Sequence, residues 1–131
     1  MSMLLKGKII KGEGLGRAIG YPTANIDRRY FYRYPVPDGV WACKVRVESR
    51  KSKVESVKWL KAVAVIGMED KKRGGKKVEI HILDFKKNIY GWHVEAVLMK
   101  RMRKLKKFSS VSLLKKQIRR DIAMGHRVVI E

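Results

Sequence analysis

Apolar and polar residues alternate in several separate stretches of this chain, and the period changes once, near the end. In "VWACKVRVES", Val40 to Ser49, the side chains of Trp41, Cys43, Val45 and Val47 share one face, with Lys44 and Arg46 on the other. A period of two predicts a half-buried strand. "KVEIHILDF", Lys77 to Phe85, repeats the pattern: Val78, Ile80 and Ile82 face one way, and Glu79, His81 and Leu83 the other. "KWLKAVAVIG" (58–67) is a more continuously apolar strand, and "WHVEAVLMKRMR" (92–103) gives another long one. A short first strand is expected at "KGKIIKG" (6–12). "PTANI" (22–26) is expected to run extended, because Pro22 disfavours helix for itself and for Tyr21. Between the strands, 27–39 reads as a loop marked by Pro35, Pro37 and an Asp-Gly pair, 71–77 as a cationic turn, and 88–91 as a further turn.

After Phe108 the period switches to that of a helix. Val111, Leu114, Ile118 and Ile122 recur at spacings of three and four. Ser109 or Ser110 can cap the start, Gly125 can close the end, and "HRVVIE" reads as an extended tail. Five or six strands, short turns and one late helix suggest a small antiparallel barrel with the helix packed on it. No internal repeat or linker interrupts the pattern, so one domain over residues 1–131 is expected.

Composition narrows the reading. With 45% apolar residues the 131-residue chain is expected to build a core, and disorder is disfavoured. The longest apolar run, Ala62 to Met68, is far too short to cross a bilayer, and no signal-peptide cleavage region follows the N-terminus. The single cysteine, Cys43, rules out an internal disulfide framework and fits a reducing cytosol, so a cytoplasmic location is expected. Lys and Arg number 32 against 12 acids, a formal charge of +20. A surplus of that size attracts polyanions, whether nucleic acid, acidic membrane or nucleotide phosphates.

The chemistry concentrates in "KGEGLGRAIGYPTAN", Lys11 to Asn25. A dinucleotide-binding loop needs G-x-G-x-x-G opening a helix; here Ile19 occupies the third glycine slot, and Pro22 blocks an immediate helix. A P-loop needs Gly-Lys followed by Ser or Thr, and "GGKK" fails at that position. Gly12, Gly14, Gly16 and Gly20 nevertheless let successive amides point into one concavity, an anion nest with Lys11 and Arg17 at its rim. A glycine hairpin without a ligand fits the same residues. On an extended chain Thr23 and Asn25 point to the same side, and their oxygens are hard donors of the kind Mg²⁺ accepts. They can equally hydrogen-bond a turn. Glu79, with His81 beside it, either faces solvent outside a barrel or lies in a cleft where its carboxylate takes a proton from a hydroxyl.

These residues resemble the riboflavin kinases (flavokinases), including the C-terminal kinase domain of bacterial bifunctional FAD synthetases. The resemblance rests on the glycine loop with "GYPTAN", then "VPDGVWA", "VEIHILDF", "IYG" and "RKLKKFSSVSLLKKQIRRDIA", in the family's order, from about Lys6 to Ala123. It implies a mainly β fold, a six-stranded antiparallel Greek-key barrel with one C-terminal helix. The implied reaction moves the γ-phosphate of a nucleoside triphosphate, ATP expected, to the 5′-hydroxyl of riboflavin, giving FMN. Carried over by position, Thr23 and Asn25 would bind Mg²⁺ or another divalent metal, and Glu79 would be the general base. Lys11, Gly14, Gly16, Arg17, Gly20, Asp84 and Tyr90 would border the nucleotide, and Arg103 and Phe108 the flavin. The chain departs from the family where Trp41 replaces the usual Tyr, where "MEDKKRGGKK" replaces a Pro-Thr pair, and where Lys104 and Leu105 replace acids. A monomer without membrane attachment is expected, and FAD synthesis is not. Two other readings start from the same fold. One is a basic nucleic-acid-binding barrel, suggested by the charge and by "RRYFYRY" (28–34); the other is a flavin carrier without turnover.

Overall fold

The computed structural model describes residues 3–10, 20–21, 23–27, 36–49, 54–55, 59–71 and 73–128. Its strands are β1 (Met3–Ile10), β2 (Ala24–Ile26), β3 (Gly39–Ser49), β4 (Val54–Glu55), β5 (Leu60–Glu69), β6 (Lys76–Ile82) and β7 (His93–Arg103). One helix, α1 (Val111–Val128), follows them. The long alternating stretches form strands as expected, while the first strand begins at Met3, earlier than its sequence pattern suggests.

All strand pairs are antiparallel, in the order β3-β5-β6-β2-β1-β7, and β7 pairs back onto β3 to close a six-stranded barrel. β4 is a short addition on the edge of β3. β3, β5 and β6 are successive neighbours and β7 returns beside β3, which is the Greek-key arrangement. Closure leaves no long unpaired edge.

Alternation divides the side chains between two apolar layers. Inside the barrel lie Ile9, Ile26, Cys43, Val45, Ile80 and Leu98 with their neighbours, nearly all inaccessible to water. The second layer lies outside, where Val40 and Val63 pack with Leu83, Met102, Leu105 and Ile122 under α1. One stretch of barrel wall is therefore apolar on both faces, which explains the more continuous apolar run of β5.

Two glycines are set by contact. Gly67 sits at a register shift between β5 and β6 with φ 111°, and a Cβ there would run into Asp38. Gly125 does not end the helix. α1 continues to Val128, so His126–Val128 are helical where an extended tail is expected from the sequence. Gly125 is buried because α1 crosses β5 closely there, and an added Cβ would lie 3.0 Å from Val63 Cγ2. At the other end Ser110 Oγ, one of the two serines expected as a cap, accepts a hydrogen bond from the Leu113 amide at 3.2 Å. Val111, by contrast, stands off the barrel and is exposed, so the packed stripe begins at Leu114.

Candidate active site

β2 is only three residues long, yet it aligns the candidate site. Asn25 pairs directly with Glu79 on β6, and Glu79 pairs with Val65 on β5. Residues directly opposite across antiparallel strands share a face. Thr23, Asn25, Glu79 and His81 therefore all project outward, away from the Ile26, Val78 and Ile80 interior. Outward does not mean into water here. α1 and the segment 104–108 wall off this face, and the Glu79 side chain is only 20% exposed. Both sequence readings of Glu79 were half right: it leaves the barrel, and it enters a cleft.

The cleft has a volume of about 460 Å³. Val63 and Val65 form its floor, Leu114, Ile118 and Ile122 of α1 one wall, and Leu105 and Phe108 another. Its polar end holds Tyr21, Thr23, Lys77, Glu79 and His81. Thr23 Oγ1 donates to Glu79 Oε2 at 3.0 Å, while Lys77 Nζ stands 3.4 Å from Glu79 Oε1. Each carboxylate oxygen thus has its own partner. The Tyr21 ring meets His81 edge-on, with centroids 6.1 Å apart. A second cleft, of about 330 Å³, is lined by Ala24 and Ile80 and by the 85–90 segment, including Asn88 and Tyr90. Thr23 lines both clefts.

The other sequence-selected residues fall as follows. Gly20 is described and takes φ 92°, whereas Lys11, Gly14, Gly16 and Arg17 lie outside the described residues, as does "RRYFYRY". Asn25 is buried on the face of Thr23 and Glu79 but lines neither cleft. Tyr90 is on the wall of the second cleft, and Phe108 on that of the first. Asp84 lines neither: it is 86% exposed at a turn, 3.7 Å from His126 Nε2. Arg103 lines the first cleft, and its guanidinium is held bidentately by Asp121, with Nε–Oδ1 2.9 Å and Nη2–Oδ2 2.8 Å.

Sequence reasoning overlooked Lys77 and Asp121. Alternation alone puts Lys77 on the face of Glu79. Asp121 falls within the Leu114, Ile118, Ile122 stripe, and an acid on an apolar helix face signals a buried partner. Gln117 Nε2 adds a third hydrogen bond to it, 3.0 Å from Oδ1.

The family model described as "Flavokinase: Riboflavin kinase" matches residues 1–129. This chain belongs to the riboflavin kinase family. It is 37% identical over 119 residues to the bifunctional riboflavin kinase/FMN adenylyltransferase of Escherichia coli K12, covering 89% of this chain and 35% of that one. It therefore spans about a third of the length of that curated relative. The RNA-binding riboflavin kinase RibR of Bacillus subtilis is 29% identical over 120 residues, 92% of this chain and 48% of that protein. Among solved structures, riboflavin kinase from Trypanosoma brucei superposes with a TM-score of 0.74 at 26% identity, covering 96% of this chain and 78% of that one. The barrel-plus-helix architecture is thus the fold of a riboflavin kinase.

Kinases of this family raise the question of a metal. Among the described residues no group of three or more His, Cys, Asp or Glu side chains is arranged to hold one. The oxygens on hand are instead the Thr23 hydroxyl and the Asn25 amide, with the Glu79 carboxylate beside them. The Thr23 proton goes to Glu79, which leaves lone pairs on Oγ1 free to face a cation. That donor set fits Mg²⁺, which is held by few protein groups and completed by water and substrate phosphates. No helix among the described residues is long and apolar enough to cross a membrane.

Proposed function

We propose that this protein phosphorylates riboflavin to FMN, with the two clefts as acceptor and donor sites that meet at Thr23. The observation that carries this reading is that Thr23 lines both clefts and is hydrogen-bonded to Glu79. A phosphoryl group passing between two bound molecules needs their compartments to touch at one point, with a proton acceptor beside it. The first cleft suits the flavin. Its apolar walls can take a flat ring system, and its polar end at Thr23, Glu79 and His81 can receive the hydroxylated chain.

The roles follow from the side chains. Glu79 takes the proton of the flavin's terminal hydroxyl as the oxygen attacks the γ-phosphorus; the bond to the β-phosphate oxygen breaks, and a nucleoside diphosphate leaves. Thr23 orients the Glu79 carboxylate through its 3.0 Å hydrogen bond. Lys77, only 15% exposed, sets a positive charge beside the base, where the transferring phosphate arrives. Thr23 and Asn25 would hold the divalent metal, whose chemistry when bound is neutralisation of phosphate charge. Phe108 and Leu105 close the flavin side against water. Gly20 and Tyr90, with Lys11, Gly14, Gly16 and Arg17, are proposed to border the nucleotide, for which ATP is the expected donor. Arg103 serves the flavin side as a wall fixed by Asp121. Asp84 is proposed to act only at the outer margin of the nucleotide site.

Family membership favours this enzyme over a flavin carrier. RNA binding, in the name of the Bacillus subtilis relative, belongs to that protein, of which this chain matches less than half. The test is chromatography of flavins after incubating the chain with riboflavin, Mg²⁺ and ATP, CTP or GTP in turn. FMN formed with ATP supports the reading. Riboflavin bound but unchanged with every donor would replace it with a carrier.

A further inference from the structure

Half of the net charge is concentrated in less than a quarter of the chain. Residues 99–127 hold eleven Lys and Arg and one acid, a net +10 out of the formal +20. That acid is Asp121, 7% exposed and consumed internally by Arg103 and Gln117. The outward surface of this region therefore carries one sign of charge along its own length. Elsewhere acids are interspersed, and some surface cations are paired with them: Arg46 with Glu95, Lys76 with Asp38, Arg73 with Asp70.

On α1 the cations are ordered. Lys116, Arg119, Arg120 and Arg127 are exposed along one stripe, opposite the face that packs on the barrel. Leu114, Ile118 and Ile122 fix that buried face, so the stripe is held in place before any partner arrives. The 18-residue helix is about 27 Å long, enough to follow roughly eight steps of a duplex at about 3.4 Å each. Lys104, Lys106 and Lys107 extend the field beyond its first turn.

We propose that this face of α1, with the 104–107 segment, is a docking surface for nucleic acid, gripped through its phosphate backbone without base selection. The chemistry argues for phosphates. The stripe presents guanidinium and ammonium groups, with only Ser112 and Ala123 between them, on the outside of a helix fixed to the barrel, an arrangement that suits a row of phosphates. An anionic membrane is the weaker fit, because the continuous apolar face of α1 packs on the barrel and leaves only Val111, Leu113 and Met124 as exposed large apolar residues, too little apolar surface for an interfacial helix. The α1 stripe lines neither cleft, although the 104–107 segment also contributes Leu105, Lys106 and Lys107 to the wall of the first; the proposal does not depend on the kinase reading.

The test is fluorescence anisotropy with a labelled 20-base-pair RNA duplex, repeated with the DNA duplex of matched sequence. Three proteins are compared: native, Lys116→Glu/Arg119→Glu/Arg120→Glu, and a control with the same charge change placed elsewhere, Lys6→Glu/Lys8→Glu/Lys71→Glu. Native protein is expected to bind both duplexes within about fivefold of each other, with affinity falling at least tenfold between 50 and 200 mM salt, as multiple phosphate contacts require. The helix variant is expected to bind at least about thirtyfold more weakly, with a salt slope shallower by about three contacts, and to keep flavin phosphorylation. The control is expected to stay within about fivefold of native. If the triple variant misfolds, Arg119→Gln and Arg120→Gln singly should each reduce the slope by about one. No binding at 50 mM salt would overturn the proposal, as would equal losses in variant and control. So would binding confined to vesicles containing 30% phosphatidylserine.

Discussion

Glu79 is useful as a base only if its carboxylate is held and yet can reach a hydroxyl, and its two partners satisfy the first condition. Thr23 fixes one oxygen by a 3.0 Å bond, and Lys77 faces the other across 3.4 Å. Thr23→Val keeps the volume and removes the bond. Turnover should fall at least about tenfold while flavin affinity changes less than about threefold, which steady-state kinetics and a flavin titration would separate. Residue type and spacing singled out Thr23 and Glu79, and the resemblance supplied their proposed roles, but their direct contact was not legible, because 56 residues separate them and only the β2–β6 register joins them. Cys43 makes a different point at this scale. Burial in the barrel interior pushes its thiol up from 9.0 to about 12. The neutral thiol's contribution to stability is therefore complete below about 9 and is lost as pH rises toward about 12. At pH 8 Cys43 should ignore a thiol-specific disulfide reagent until the protein unfolds, and reaction in the native state would contradict its placement.

Among the elements, α1 decides whether the cleft exists, since without it Val63, Val65 and Glu79 would face water. Its attachment rests on the Leu114–Ile118–Ile122 stripe, the close approach at Gly125, and the Arg103–Asp121 pair. Asp121→Asn leaves the guanidinium buried without its counter-charge, and should lower unfolding stability by about 3 kcal/mol in urea titration. Gly125→Val forces a branched side chain against Val63 and should cost about 1–3 kcal/mol, with weaker flavin binding as the helix shifts. The period of three and four made the helix legible, and Ser110 marked its start. Gly125 misled because glycine is commonest just past a helix end, whereas here it serves a contact with a strand more than 60 residues earlier, which no local pattern reports. Asp121 was overlooked for a related reason: its partner lies at the end of another strand.

At the scale of the whole molecule, alternation supplied the strands, and the count of strands with one helix pointed to a barrel, but neither supplies the strand order. Closure depends on β7 pairing with both β1 and β3, a long-range fact carried by the resemblance of the motifs rather than by hydropathy. The +20 charge is a property of the same scale. Like charges repel within the compact state, so raising NaCl from 20 to 300 mM should raise the thermal midpoint by a few degrees; an unchanged or lower midpoint would mean that surface pairing already offsets the repulsion. The central claim is that the outer-face cleft is where a flavin hydroxyl meets its base. The most direct measurement compares native protein with Glu79→Gln for riboflavin affinity and for FMN formed per minute under saturating ATP and Mg²⁺. The account predicts affinity preserved within about threefold and turnover lower by about 10² or more, the range expected for losing a general base. FMN formed at the native rate by Glu79→Gln would contradict it.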